Sequence, residues 1–137
     1  MNKKFSAVHS LSLIAALAIA AQAHAGEVVV VMGAGGATLT KDQVAGVYLG
    51  RSNDFKPVDL PESSPVREAF YKKATDRDPS QIKAVWSRLA FSGQATPPKE
   101  LADAAAVKKA VAADPKTVGY IDKADVDASV KVVLSLN

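Results

Sequence analysis

Four consecutive valines, Val28 to Val31, constrain this chain more than any other stretch. A β-branched run with no helical period reads as a strand, Glu27 to Met32, that is buried on both faces. The sheet it joins must then be covered above and below. Gly33-Ala34-Gly35-Gly36-Ala37 breaks the run.

The elements downstream are marked by their ends. Thr40-Lys41-Asp42-Gln43 has the hydroxyl and the glutamine of a capping box, with Val44, Val47 and Tyr48 at helical intervals as far as Gly50, which predicts a first helix closed by a glycine. Lys56-Pro57-Val58-Asp59-Leu60-Pro61 is short and bracketed by prolines, which predicts a brief strand at a sheet edge. Ser64 before Pro65 predicts a helix to about Ala74, because proline at the first helical position misses no amide hydrogen. Asp78-Pro79 repeats that signal, and Ile82, Val85, Trp86 and Leu89 share one face of a third helix ending near Gly93. Asp103 caps an alanine-rich helix through Val107 and Val111 to Ala113. Val118 to Ile121 and Ser129 to Leu136 read as two further strands. Strands alternating with helices predict a layered α/β domain with a mixed sheet.

Composition excludes more than it proposes. Lys3 and Lys4, an apolar stretch from Leu11 to Ala20, and Ala23-His24-Ala25 follow the three-part plan of a secretory signal, with cleavage expected after Ala25. The apolar stretch is shorter than the roughly 20 residues that span a bilayer. Residues 26–137 are therefore expected to form one domain released into the periplasm, without membrane insertion. Losing Lys3 and Lys4 removes two of the three net positive charges, and with them the electrostatic case for nucleic acid. Both histidines, His9 and His24, lie in the expected signal, and the chain has no cysteine. Imidazole- or thiol-based catalysis, the common zinc sites and disulfides are thereby excluded from residues 26–137.

Several motifs admit a functional and a plain structural reading. The Gly33–Gly36 cluster lacks the Gly-Lys-Ser/Thr ending of a phosphate loop and the third glycine of a dinucleotide fingerprint, so it reads as a flexible connection. Trp86 with Arg88 reads as core rather than as a stacking platform, and Asp122, Asp125 and Asp127 as a solvated turn rather than a calcium loop. Asp59 and Glu62 form a candidate carboxylate pair, but no nucleophile and no buried setting accompany them. The segment Glu62 to Arg67 gathers two hydroxyls, the amides of a first helical turn and a guanidinium. Such a helix start is a natural seat for a small oxyanion. On the residues alone the plainer reading is preferred, with Ser64 as a cap and Arg67 paired to Glu62 or Glu68.

Taken in order, Leu39 to Arg51, then Pro57-Val58-Asp59 with Glu62 to Tyr71, then Val118-Gly119-Tyr120-Ile121, the chain resembles the phosphate-binding protein family of ABC importers. The middle block is similar to that family's GSGTR anion loop. Carried over by position, Ser63 and Ser64 stand for its first glycine and serine, Pro65 and Val66 for its second glycine and threonine, and Arg67 for its arginine. Pro65 removes one backbone donor and Val66 one hydroxyl, while Ser63 returns a hydroxyl.

The resemblance implies the fold of a single lobe of a type 2 periplasmic binding protein, a small mixed sheet flanked by helices. It implies a small oxyanion such as phosphate as ligand, with Ser63, Ser64, Val66 and Arg67 as its binding residues, and an ABC transporter, a sensor protein or a second copy as partner. No enzyme activity, metal or cofactor is expected. The alternative is an interaction module that keeps the lobe fold and has lost the ligand, which Pro65 and Val66 favour. In the family the anion sits between two lobes, so one open lobe is expected to bind only in the millimolar-to-micromolar range.

Overall fold

The computed structural model describes residues 26–136. The expected secretory signal, residues 1–25, lies outside the described residues. Five strands and four helices follow one another among the described residues, alternating except where α3 follows α2 and β5 follows β4: β1 (Val28–Met32), α1 (Lys41–Tyr48), β2 (Lys56–Asp59), α2 (Pro65–Thr75), α3 (Pro79–Phe91), β3 (Lys99–Glu100), α4 (Ala104–Ala113), β4 (Thr117–Asp122) and β5 (Lys131–Leu136). A 3-10 turn, Lys123–Asp125, links the last two strands.

The strands form one sheet in the order β3-β2-β4-β1-β5. β2 runs parallel to both β3 and β4, whereas β1 runs antiparallel to β4 and to β5. β1 thus opposes the other four strands from inside the sheet, next to its β5 edge. Its valines are fully buried, at 0–1% exposure, because helices cover both faces.

Two adjacent residues of β4 show how the faces are divided. Gly119 has no side chain, and a Cβ there would lie 2.6 Å from Val107 and 3.5 Å from Val111, so its absence lets α4 settle on that face. Tyr120 points to the opposite face. There its ring stacks on Phe70 of α2 with centroids 3.9 Å apart, and Tyr48 of α1 meets the edge of Phe70 at 4.7 Å. Trp86 of α3 closes this side by donating from Nε1 to the Tyr48 carbonyl at 2.9 Å. Trp86 is therefore core, as its helical spacing predicts.

The helix ends follow the expected chemistry. Thr40 and Gln43 form both bonds of a capping box, Ser64 caps α2, and Asp103 accepts from the Ala106 amide at 2.9 Å to cap α4. Gly50 closes α1 in the left-handed region, at φ +73°.

The strand expected at an edge is a correction: β2 is flanked on both sides. Its outer neighbour β3 is two residues long and begins opposite Val58, one position past Pro57. Successive residues of a strand bond to alternate neighbours, and Lys56 donates to Lys116 on the β4 side. Pro57 accordingly lacks its donor on a side where no strand has yet started. The β3 pair itself, Lys99–Glu100, is not anticipated by the sequence pattern.

Candidate functional site

The carboxyl ends of the parallel strands β2, β3 and β4 open on one cleft of about 320 Å³. Ligands in open α/β sheets bind outside the carboxyl ends of the strands. Leu60 and Pro61 continue β2 into this cleft, Ser63, Ser64 and Val66 bring the start of α2, and Asp103 brings the start of α4. Two helix N-termini therefore converge on the same space, each with a partial positive charge of about half a unit.

The tip of α2 is built by its own sequence. Ser64 donates its amide to Pro61 O at 2.9 Å, which closes the turn after β2, and its Oγ accepts from the Arg67 amide at 3.3 Å. Pro65 occupies the first helical position. Among the described residues, the Val66 N–H and the hydroxyl protons of Ser63 and Ser64 have no acceptor. Ser63 is exposed, while Ser64 and Val66 are half-buried. Ser64 is thus a cap whose hydroxyl proton is still free to donate.

Three of the four sequence-predicted binding residues come together here, and the Arg67 guanidinium does not join them. It turns back beneath α2, only 12% exposed, and donates from an Nη to Leu60 O at 2.8 Å. The same nitrogen lies 3.8 Å from Glu100 Oε2, and Nε lies 3.8 Å from Asp59 Oδ1 without a hydrogen-bond partner. Neither Glu62 nor Glu68 is its partner: Glu62 pairs with Lys83 at 3.5 Å and Glu68 with Lys72 at 3.1 Å. The guanidinium lines a separate cleft of about 280 Å³ with Lys83, Trp86 and Glu100. Arg67 thus spends its amide on the Ser64 cap and lends its charge to the other cleft.

Asp59 is the residue that sequence reasoning placed wrongly. It is 4% exposed rather than solvated, and the exposed Glu62 is turned to Lys83, so the two do not form a carboxylate pair. Asp59 accepts from the Tyr71 hydroxyl at 2.5 Å, from the Tyr120 hydroxyl, and from the Leu60 amide at 2.9 Å. Burial, and then the Asp59 charge, push both phenols well above the ordinary tyrosine range. Nothing local in Val58-Asp59-Leu60 signals this, since both tyrosines come from other elements.

The cleft is also acidic at its rim. Asp103 and Asp122 are committed to backbone amides, Asp122 through both oxygens, while Asp125 is exposed. Among the described residues no group of three or more acidic, histidine or cysteine side chains is arranged to hold a metal ion. Gly33–Gly36 forms a tight turn, with Gly36 N donating to Gly33 O at 2.9 Å, and a Cβ at Gly33 would lie 2.8 Å from Val111 O. Gly33 and Gly36 serve close packing at that connection, whereas Gly35 faces open space. No helix among the described residues is long and apolar enough to cross a membrane.

The sequence matches no family model and no curated protein. Solved structures do match it. An ABC-type phosphate transport receptor from Vibrio cholerae is similar with a TM-score of 0.59 and 19% identity, over 78% of this chain and 45% of that one. A putative phosphate ABC transporter substrate-binding protein with bound phosphate from Clostridium perfringens is similar with a TM-score of 0.61 and 18% identity, over 78% of this chain and 44% of that one. The chain spans less than half the length of either protein. The likeness is one of fold: this chain has the mixed α/β architecture of just under half of a phosphate-type substrate-binding protein.

Proposed function

We propose that the protein is an exported, periplasmic solute-binding-type domain, residues 26–137, which takes a small oxyanion such as phosphate at the tip of α2. The observation that carries this reading is the set of unspent donors there, the Val66 N–H and the Ser63 and Ser64 hydroxyls. They face a cleft at the carboxyl ends of three parallel strands. The fold shared with two phosphate-transport proteins, one of them with phosphate bound, supports the same ligand class. Both neighbours are binding proteins, which supports binding rather than turnover.

Arg67 has a changed role in this proposal. Its guanidinium braces the β2-to-α2 connection through Leu60 O, and its amide, held by Ser64, sets the first turn of the helix. With no guanidinium on the ligand and carboxylates at the rim, affinity stays in the millimolar-to-micromolar range unless a partner, such as an ABC transporter component, closes over the cleft. Isothermal titration of phosphate and sulfate into the exported protein tests the proposal. Saturable heat that weakens in Ser63→Ala supports it. Absence of heat at millimolar anion, together with an unchanged melting temperature, overturns it and leaves an interaction module with the same fold.

A further inference from the structure

The chain enters β1, an interior strand of the sheet, at once after the expected cleavage point, and that entry is fastened to the rim of the cleft. Gly26 N lies 2.9 Å from Asp122 Oδ2, the Lys123 amide donates to Glu27 O at 2.8 Å, and Lys123 Nζ pairs with Glu27 Oε2 at 2.8 Å. Val28 follows, fully buried and opposite Asp122 in the β1–β4 register. A Cβ on Gly26 would lie 3.2 and 3.3 Å from the two Asp122 oxygens, so glycine permits this approach. Asp122 lines the same cleft as Ser63, Ser64 and Val66.

We infer that the α-ammonium group freed at Gly26 by signal removal docks on Asp122 and becomes part of the oxyanion cleft, cancelling a carboxylate charge that otherwise repels the ligand. This rests on the proposed cleavage after Ala25 and, for its ligand arm, on the proposed oxyanion site. Within a longer chain, Gly26 N is a neutral amide with one hydrogen and leaves the Asp122 charge in place. As a chain terminus it carries a full positive charge and three hydrogens. Among the described residues, the charged groups around it are Asp122 and Asp125 from the end of β4 and the turn, Lys123 from the turn, and Glu27 from its own segment, while the facing end of β5, Leu134 to Leu136, carries none. Lys123 and Glu27 neutralise each other. The ammonium is therefore the counter-charge that Asp122 lacks.

The protein purified after export is expected to begin at Gly26. Its α-amine, titrated by NMR, is expected to ionise above the ordinary value of about 8, and to return to it in Asp122→Asn, which keeps a cap acceptor for the turn. Selective acetylation of the α-amine, confirmed by mass, is expected to weaken phosphate binding roughly two- to fivefold, the effect of one exposed charge at short range, and Asp122→Asn with the amine free is expected to strengthen it by a similar factor. A mature terminus elsewhere, an amine with the same pKa in both proteins, or equal phosphate affinity before and after acetylation overturns the inference. If the amine is raised and Asp122-dependent while neither protein binds phosphate or sulfate, the docking stands and the oxyanion reading falls.

Discussion

Arg67 Nε and Asp59 Oδ1 face each other at 3.8 Å without a hydrogen bond, because the carboxylate is held instead by the hydroxyls of Tyr71 and Tyr120. The cation is fixed by Leu60 O and by the Tyr71 ring, whose centroid lies 5.6 Å from Cζ. Arg67→Ala leaves a backbone carbonyl unpaired and a buried carboxylate without its cationic neighbour. We expect it to cost about 2 kcal/mol in urea denaturation, the range for losing a charged hydrogen bond at a largely buried site. A loss confined to anion affinity, with stability unchanged, would show that the side chain serves the ligand instead.

All three tyrosines of the chain, Tyr48, Tyr71 and Tyr120, are buried. Burial raises each phenol well above its ordinary value, and Asp59 adds to the rise. The folded-state values are raised, so the stabilisation is complete below the unfolded value near pH 10 and is lost as pH climbs above it. Three protons released on unfolding give a slope of up to about 4 kcal/mol per pH unit. Phenolate absorbance is expected to appear only with unfolding, in a single step. A phenolate that forms while the circular dichroism remains native would contradict this.

Gly50 and Gly93 share a left-handed backbone, at φ +73° and +70°, but differ in surroundings. A Cβ at Gly50 would lie 2.5 Å from Leu89 and 3.2 Å from Trp86, whereas nothing lies within 4 Å at Gly93. Gly93→Ala is expected to cost about 1 kcal/mol, the backbone penalty alone, and Gly50→Ala about 2–3 kcal/mol. Trp86 fluorescence followed through denaturant unfolding measures both. Equal costs would remove the packing argument.

Ser63 and Ser64 separate capping from ligand binding. Ser64→Ala is expected to lower stability by about 1 kcal/mol through loss of the cap. Ser63→Ala, at an exposed position without a bond, is expected to change it by less than about 0.5 kcal/mol. Both are expected to weaken phosphate binding by about tenfold, as each removes a donor to a charged group. Titration of the two variants beside their melting curves makes the comparison.

What could be read from the sequence was whatever is decided by neighbours along the chain. Thr40 with Gln43, Ser64 with Pro65 and Asp103 state where helices begin, and the valines of β1 state that both faces of the sheet are covered. β3 was silent because Lys99–Glu100 is a strand only by virtue of lying beside β2. That Ser63, Ser64 and Val66 share one cleft follows from their lying within four residues around one cap. The direction of the Arg67 side chain was not legible, since Leu60 O, Asp59 and Glu100 fix it from other elements. Asp103 and Asp122 carried only local signals, a cap and a turn, and nothing in their spacing announced that they meet α2 across a cleft.

The place of β1 has a consequence for how the chain reaches its final form. Its ladder partners are the last two strands, with Val28 set opposite both Asp122 and Leu136. Closing so large a loop is slow and precedes any reward from the contacts it makes. Until β4 and β5 have both been made, β1 has nothing to pair with. The sheet therefore assembles late, around a strand that has waited for its neighbours, rather than growing strand by strand.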